Sequence, residues 1–174
     1  MKYKNFIIKC IGTTCFSGYL TKAPGTIGAI IAAIIYAILL YFNLLNFQLH
    51  LVLIILTFFL SWFSGSYNIE VFNNQDDPKE LNMDEVSGQL VGLLPITLLL
   101  SSSRLVTSPI ILYFFIILGF LFFRLFDILK PYPINVIDQK LKGGLGITLD
   151  DIFAGVYTFF VVKLIIIIYF LLLV

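Results

Sequence analysis

Between Phe123 and Gly155 the chain gathers four carboxylates (Asp127, Asp138, Asp150, Asp151), four cations (Arg124, Lys130, Lys140, Lys142) and four glycines. A second acidic stretch, residues 70–85, ends in Asp84-Glu85 and leads into the small residues Ser87, Gly88 and Gly92. Asp150-Asp151 repeats that pattern ahead of another apolar run, with Gly155 soon after. An acid before a helix caps its first turn and suits the helix dipole. Capping accounts for one acid of each pair and not for both. Two such pairs plus Asp127 form a hard-oxygen set suited to Mg²⁺, which takes one or two carboxylates and completes its shell with water and substrate phosphate.

Arg124, Asp127 and Lys130 follow an i, i+3, i+6 spacing, which puts neighbouring members on one side of a helix. On structural grounds alone, Arg124 snorkels and pairs with Asp127, while Lys130 complements a helix C-terminus. Beside a metal site the same two cations suit a phosphate, Arg by a forked pair of hydrogen bonds and Lys as a point charge. Pro131 and Pro133 stop that helix and are expected to force an extended segment. Gly143-Gly144-Leu145-Gly146 reads as a glycine-rich turn able to approach an anion; no Gly-Lys-Ser/Thr follows it, which excludes a P-loop. His50 is the only histidine and falls at the other end of the apolar runs, as an interfacial residue, so no Ser-His-Asp or Cys-His unit can be assembled. Cys10 and Cys15 suggest neither a disulfide framework nor a metal site.

The elements that must position these groups are mostly oil. The chain has 174 residues, is 60% hydrophobic and 12% charged, and has a mean hydropathy of +1.02, against roughly 25% charged in soluble proteins. The expectation is an all-α integral membrane bundle of four to five hydrophobic helices in one domain, residues 1–174. A net charge of +1 points to no nucleic-acid partner. Met1 to Pro24 is a basic, mildly amphipathic lead-in expected to lie along the membrane surface, with no signal-peptide pattern. Thr26 is placed to cap the next helix. The apolar runs are 27–42, 51–63 with its flanks, 86–95, 110–126 and 152–174, the third short enough, and interrupted by Pro95, to allow re-entry rather than a full crossing. Trp62 and Tyr67 are expected as interfacial anchors. Lys163 lies inside the last run, facing either the bundle or the interface.

If all five runs cross, Lys2, Lys4, Lys9, Lys22, Lys79, Arg124, Lys130, Lys140 and Lys142 fall on one face and Arg104 alone on the other. The positive-inside rule makes the first face cytoplasmic. Every Asp and Glu falls there too, which the rule does not require. Four polar clusters therefore meet at one membrane surface: 22–26, 76–85, 124–130 and 143–151.

Four motifs in this order resemble the phosphatidylglycerophosphatase A family: Ala23-Pro24-Gly25-Thr26-Ile27-Gly28, Met83-Asp84-Glu85-Val86-Ser87-Gly88-Gln89, Phe123 to Pro133, and Gly143 to Gly155. They cover about Phe16 to Tyr157. Asn82-Met83 partly replaces the family's apolar pair before Asp-Glu, and Ser87 stands where a larger residue is common. The resemblance implies a bacterial, Mg²⁺-dependent lipid phosphatase that converts phosphatidylglycerophosphate to phosphatidylglycerol in the inner membrane, with its site facing the cytoplasm. It implies Asp84, Glu85, Asp127, Asp150 and Asp151 as the acidic site residues, with Arg124 and Lys130 beside them, and does not divide their roles. Our expectation puts Asp84, Glu85, Asp127 and Asp151 at the metal, Asp127, Asp150, Asp151 and Lys130 in catalysis, and Arg124, Lys130, Lys22 and Thr26 at the substrate. The expected mechanism is Mg²⁺-assisted attack by water with one Asp as base, a phosphoaspartyl intermediate being the less favoured route. The competing readings are a non-catalytic membrane subunit or small ion-coupled transporter, and a CDP-alcohol phosphotransferase, whose motif order this chain lacks. Transport favours charges at mid-membrane and broken helices, whereas the acids here lie in or beside loops.

Overall fold

The computed structural model describes residues 2–72, 78–101 and 108–172. The described residues form an all-helical bundle. The lead-in α1 (Lys2–Gly12) and a 3₁₀ turn (Ser17–Tyr19) precede α2 (Pro24–Tyr41) and α3 (Phe47–Ser66). The short α4 (Asn68–Val71), α5 (Met83–Ser101), α6 (Pro109–Leu129), the short α7 (Ile134–Lys140) and α8 (Gly143–Leu172) complete it. Five of these, α2, α3, α5, α6 and α8, are long and apolar enough to cross a membrane, which makes this a multi-pass membrane protein.

Local sequence sets the boundaries. Pro24 and Pro109 stand in the first turns of α2 and α6, where a missing N–H costs nothing. Asn46 caps α3, its side chain accepting from the Leu49 N–H at 2.8 Å. Lys130 ends α6 in the left-handed region (φ 43°, ψ 59°), and Pro131 prevents continuation. Residues 131–133 then form a turn with a cis Tyr132–Pro133 bond, in place of the expected extended segment. The Tyr157 hydroxyl on α8 donates to the Tyr132 carbonyl at 2.7 Å and holds the turn down.

Several expectations are corrected. Thr26 caps nothing: α2 begins at Pro24 and its N-cap position is Ala23. The third apolar run is not a short segment but a continuous helix of 19 residues with Pro95 inside it. Gly143–Gly146 is the first turn of α8 rather than a loop, so Asp150 and Asp151 lie two turns inside that helix. Their removal from the helix start does not bury them in oil. At 30 residues α8 is about 45 Å long, against about 30 Å of hydrocarbon, and the surplus places its first turns at headgroup depth.

His50 is wholly buried rather than interfacial. Its Nδ1 lies 2.7 Å from Thr97 Oγ1 and its Nε2 3.0 Å from the Leu90 carbonyl, and the Tyr36 hydroxyl lies 2.9 Å from the same Thr97 oxygen. A carbonyl only accepts, so Nε2 carries the proton and Nδ1 accepts from Thr97. This ties α2, α3 and α5 together near Pro95. Trp62 is part-exposed in the last turns of α3 and Tyr67 lies just beyond that helix, as expected of anchors. Lys163 is exposed on α8, its ammonium 5.6 Å from the Phe159 ring centre.

The central contact is α5 against α8. A Cβ added at Gly88 would meet the Asp151 carbonyl, one at Gly155 the Gly88 carbonyl, and one at Gly92 the Thr158 Cγ2 at 2.8 Å. Without side chains there, the two backbones pack together, as small residues allow in membrane helices. The main core, including Leu93, Ile96, Phe115 and Val162, lies below that crossing. Ile8 of α1 packs with Val71, Phe72 and Leu81 in a separate small core. Asn82, wholly buried, joins the lead-in to α5. Its N–H donates to the Gly12 carbonyl at 3.0 Å and its side-chain amide donates to Ser17 Oγ at 3.0 Å.

Candidate active site

The α5–α8 crossing decides which acids meet. Asp84 and Glu85, in the first turn of α5, lie one turn above Gly88, and Gly88 touches the backbone of Asp151. One carboxylate oxygen from each of Asp84, Glu85 and Asp151 lies within 4.8 Å of the others. Asp84 and Asp151 are buried. Glu85 Oε2 and Asp151 Oδ1 are buried without a hydrogen-bond partner among the described residues.

α6 arrives beside them with its last two turns. Arg124 Nη1 lies 2.5 Å from Asp127 Oδ2, both side chains being mostly buried, and Arg124 Nε is buried with no partner among the described residues. Asp127, expected at the metal, lies outside the three-acid group and pairs with Arg124. The start of α2 closes this side. A Cβ at Gly25 would overlap Glu85 Oε1 and lie 3.1 Å from Arg124 Nη1, so glycine is what lets α2 touch both groups.

Lys130 projects from the α6 terminus between two carboxylates, 2.6 Å from Asp138 Oδ1 on α7 and 2.6 Å from Asp150 Oδ2 on α8. Partial burial works to lower its pKa, but the hydrogen bonds and charges of Asp138 and Asp150 outweigh burial and hold the ammonium above its usual value. Lys130 is thus a fixed positive charge and not a proton donor. Asp150 is committed twice, since its Oδ1 also accepts the Asp151 N–H at 3.1 Å.

All these groups line one cavity of about 460 Å³, the size of a small-ligand site. It brings together Asp84, Glu85, Arg124, Asp127, Lys130, Asp150 and Asp151 from the sequence reading. Lys22 and Thr26 are not in its lining; Ala23, Pro24 and Gly25 between them are. Asp76 and Asp77, in the second acidic stretch, lie outside the described residues. Asp138 stands among the clustered acids of the sequence without a role there; its signal was its place eight residues beyond Lys130 across a double-proline turn. The sequence reading passed over Gly25 as a contact point, and Lys79 and Lys142 in the cavity wall. Those two lysines carry no local pattern to mark them.

A family model for Phosphatidylglycerophosphatase A matches residues 10–166. The chain belongs to that family. It is 35% identical over 164 residues, 93% of this chain and 95% of the other, to a protein of Bacteroides thetaiotaomicron provisionally named phosphatidylinositol-3-phosphatase. It is 33% identical over 146 residues, 84% of this chain and 80% of the other, to Phosphatidylglycerophosphatase A of Haemophilus influenzae. With Phosphatidylglycerophosphatase A of Escherichia coli K12 it shares 53% identity over 38 residues, 22% of each chain. No solved structure is significantly similar to it. Family membership makes the chain a membrane phosphatase, and the cavity sets fixed positive charge, suited to phosphoryl oxygens, beside a cluster of carboxylate oxygens.

Proposed function

We propose that the chain hydrolyses the terminal phosphomonoester of phosphatidylglycerophosphate, releasing phosphatidylglycerol and inorganic phosphate, with Mg²⁺ held by Asp84, Glu85 and Asp151. The observation that carries this reading is the meeting of three acids, two with buried unpartnered oxygens, with Arg124 and Lys130 in one cavity at the helix ends. Buried carboxylates without partners are costly unless a cation or proton joins them. An all-oxygen set suits Mg²⁺. Bound there, it supplies the charge neutralisation that a phosphomonoester dianion needs to approach three acids.

The chain's own residues do the rest. Arg124 offers its free guanidinium N–H groups to phosphoryl oxygens, and Lys130, aimed by Asp138 and Asp150, adds a second positive charge. Asp127 is the carboxylate outside the three-acid group that is not locked by Lys130, and it serves as general base. It takes a proton from the attacking water as the water oxygen bonds to phosphorus. The phosphorus bond to the glycerol oxygen breaks, and the proton passes to that oxygen, giving the free glycerol hydroxyl of phosphatidylglycerol, whose phosphodiester keeps its charge. Asp150 positions Lys130.

The relatives' names differ in headgroup and share a phosphorylated lipid. The family description and the Haemophilus influenzae relative favour the glycerophosphate form. The lysines and arginines sorted to the site face, against Arg104 alone on the other, support a site that faces the cytoplasm from a bacterial inner membrane. The test is phosphate release from phosphatidylglycerophosphate by purified protein in detergent, with Mg²⁺ and with chelator. Release with Mg²⁺ that stops with chelator is expected. A folded sample that releases none in Mg²⁺ refutes the reading.

A further inference from the structure

A lipid held by its headgroup in the polar cavity must lead its acyl chains into the bilayer past the helices that form the cavity wall. α2 and α6 run antiparallel, α2 starting and α6 ending at the cavity, which Gly25 and Arg124 line. Just below them the wholly buried Ala29, one turn on from Gly25, and Phe123, next to Arg124, belong to one small core. Beneath them lies a groove of about 290 Å³ bounded by Ile30, Ala33, Ile34 and Ala37 of α2 and by Tyr113, Ile116, Ile117 and Phe120 of α6.

The groove is made by sequence. Ala33 and Ala37 lie four apart on one face of α2, where larger residues would fill the space. Ile34 and Ile117 at its edges are exposed, so it opens to the bilayer and not to the core. Its eight lining residues offer one polar side-chain atom, the Tyr113 hydroxyl. At 1.5 Å per residue its near end, Ile30 and Phe120, lies about 6–8 Å below Gly25 and Arg124, and it runs about 10 Å further.

We propose that this groove binds one acyl chain of the lipid substrate, making α2 and α6 a chain-recognition site continuous with the headgroup cavity. The inference rests on the lipid-phosphatase reading. The occupant follows from position: the groove is apolar, open sideways to lipid, and begins within a glycerol backbone's reach of the phosphate-binding wall. A chain lodged there holds the headgroup in register with Arg124 and Lys130, and a lipid with chains too short to reach it gains nothing.

The test compares kcat/KM on dioleoyl and dihexanoyl phosphatidylglycerophosphate in mixed micelles, for the wild type and for Ala33→Phe and Ala37→Phe. The long-over-short preference is expected to fall by about tenfold or more in the variants, equal to about 1.4 kcal/mol of lost chain binding. A preference equal to wild type, whether the two rates hold or fall together, overturns the groove while leaving the phosphatase reading intact. Wild-type protein that releases no phosphate from either lipid overturns the phosphatase reading and the groove with it. A measurement on the unaltered chain covers a variant that fails to fold: photolabelling by a diazirine-acyl phosphatidylglycerol in phosphatidylcholine nanodiscs. Labelling of 30–37 and 113–120 that unlabelled phosphatidylglycerophosphate competes away is expected. Uniform labelling of the outward faces of α3 and α8 as well, or labelling that is not competed, overturns the proposal.

Discussion

Lys130 makes two ion pairs of the same length, 2.6 Å to Asp138 and 2.6 Å to Asp150, yet their removal is expected to have very different consequences. The Asp138 side chain is 42% exposed, whereas that of Asp150 is 10% exposed. A solvated pair contributes about 0.2–1 kcal/mol. Breaking a buried pair costs about 3–5 kcal/mol, because the remaining charge is left desolvated; Lys130 keeps some exposure, so the lower end, about 3 kcal/mol, applies here. If that energy holds the ammonium against phosphoryl oxygens, then at about 1.36 kcal/mol per tenfold in rate Asp138→Asn lowers turnover about 1.4- to 5-fold and Asp150→Asn about 150-fold. The assay is initial phosphate release per mole of monodisperse protein in detergent, with size-exclusion chromatography certifying the fold. Asp138→Asn in a Lys130→Ala background should cost nothing further, since its partner is already gone. Equal effects of the two Asp→Asn changes, or a larger one at Asp138, would refute the burial argument. Near-normal activity of Lys130→Ala would remove Lys130 from the mechanism altogether.

Asp151→Asn and Glu85→Gln should each weaken divalent-cation binding at least about tenfold, read by calorimetry without substrate, because each removes a carboxylate from a small oxygen set; unaltered affinity in both would move the metal elsewhere. Gly25→Ala puts a methyl group against Glu85 and Arg124 at once, an overpacking cost of about 1–3 kcal/mol that should appear as a lowered melting temperature together with lost turnover, and a fully active Gly25→Ala protein of unchanged stability would show that α2 is free to recede. In bacterial cells carrying a cysteine-free chain with Lys142→Cys, a membrane-impermeant maleimide should label only after the membrane is opened, and labelling of intact cells would reverse the assigned orientation.

The motifs bearing charge were legible because charge is rare in this chain, so each cluster stood out against the oil. What they lacked was three-dimensional partnership. Asp127 and Lys130 looked like members of one helical stripe with Arg124, but the left-handed turn at Lys130 swings it away from Asp127 and toward α7 and α8. Asp138 gained its meaning only from that turn. The glycines of 143–146 read as a loop because intrinsic propensity disfavours them in helices; tertiary contact overrides it, for a Cβ at Gly144 would strike the Trp62 carbonyl and Ser66 N–H of α3. The Asn82 that departs from the family's apolar pattern is explained by its bonds to Gly12 and Ser17, which no local pattern could announce.

The third apolar run was the hardest to assign, and the reason lies in its position. α5 is the least apolar of the five long helices, with a mean hydropathy of 1.3 against 1.9–2.4 in the others, and the most enclosed, 67% of its span being buried against 17–28%. A helix that meets lipid must be oily on its outer face, whereas a helix surrounded by other helices is solvated by protein and can afford Gly88, Gln89, Gly92 and Thr97. Low hydropathy in such a segment therefore argues for the centre of the bundle and not against a crossing. The same enclosure lets α5 carry Asp84 and Glu85. Packed against α8 through bare backbone and tied to α3 through His50, it holds its two acids against Asp151 with little freedom to recede, and the repulsion among them favours a cation.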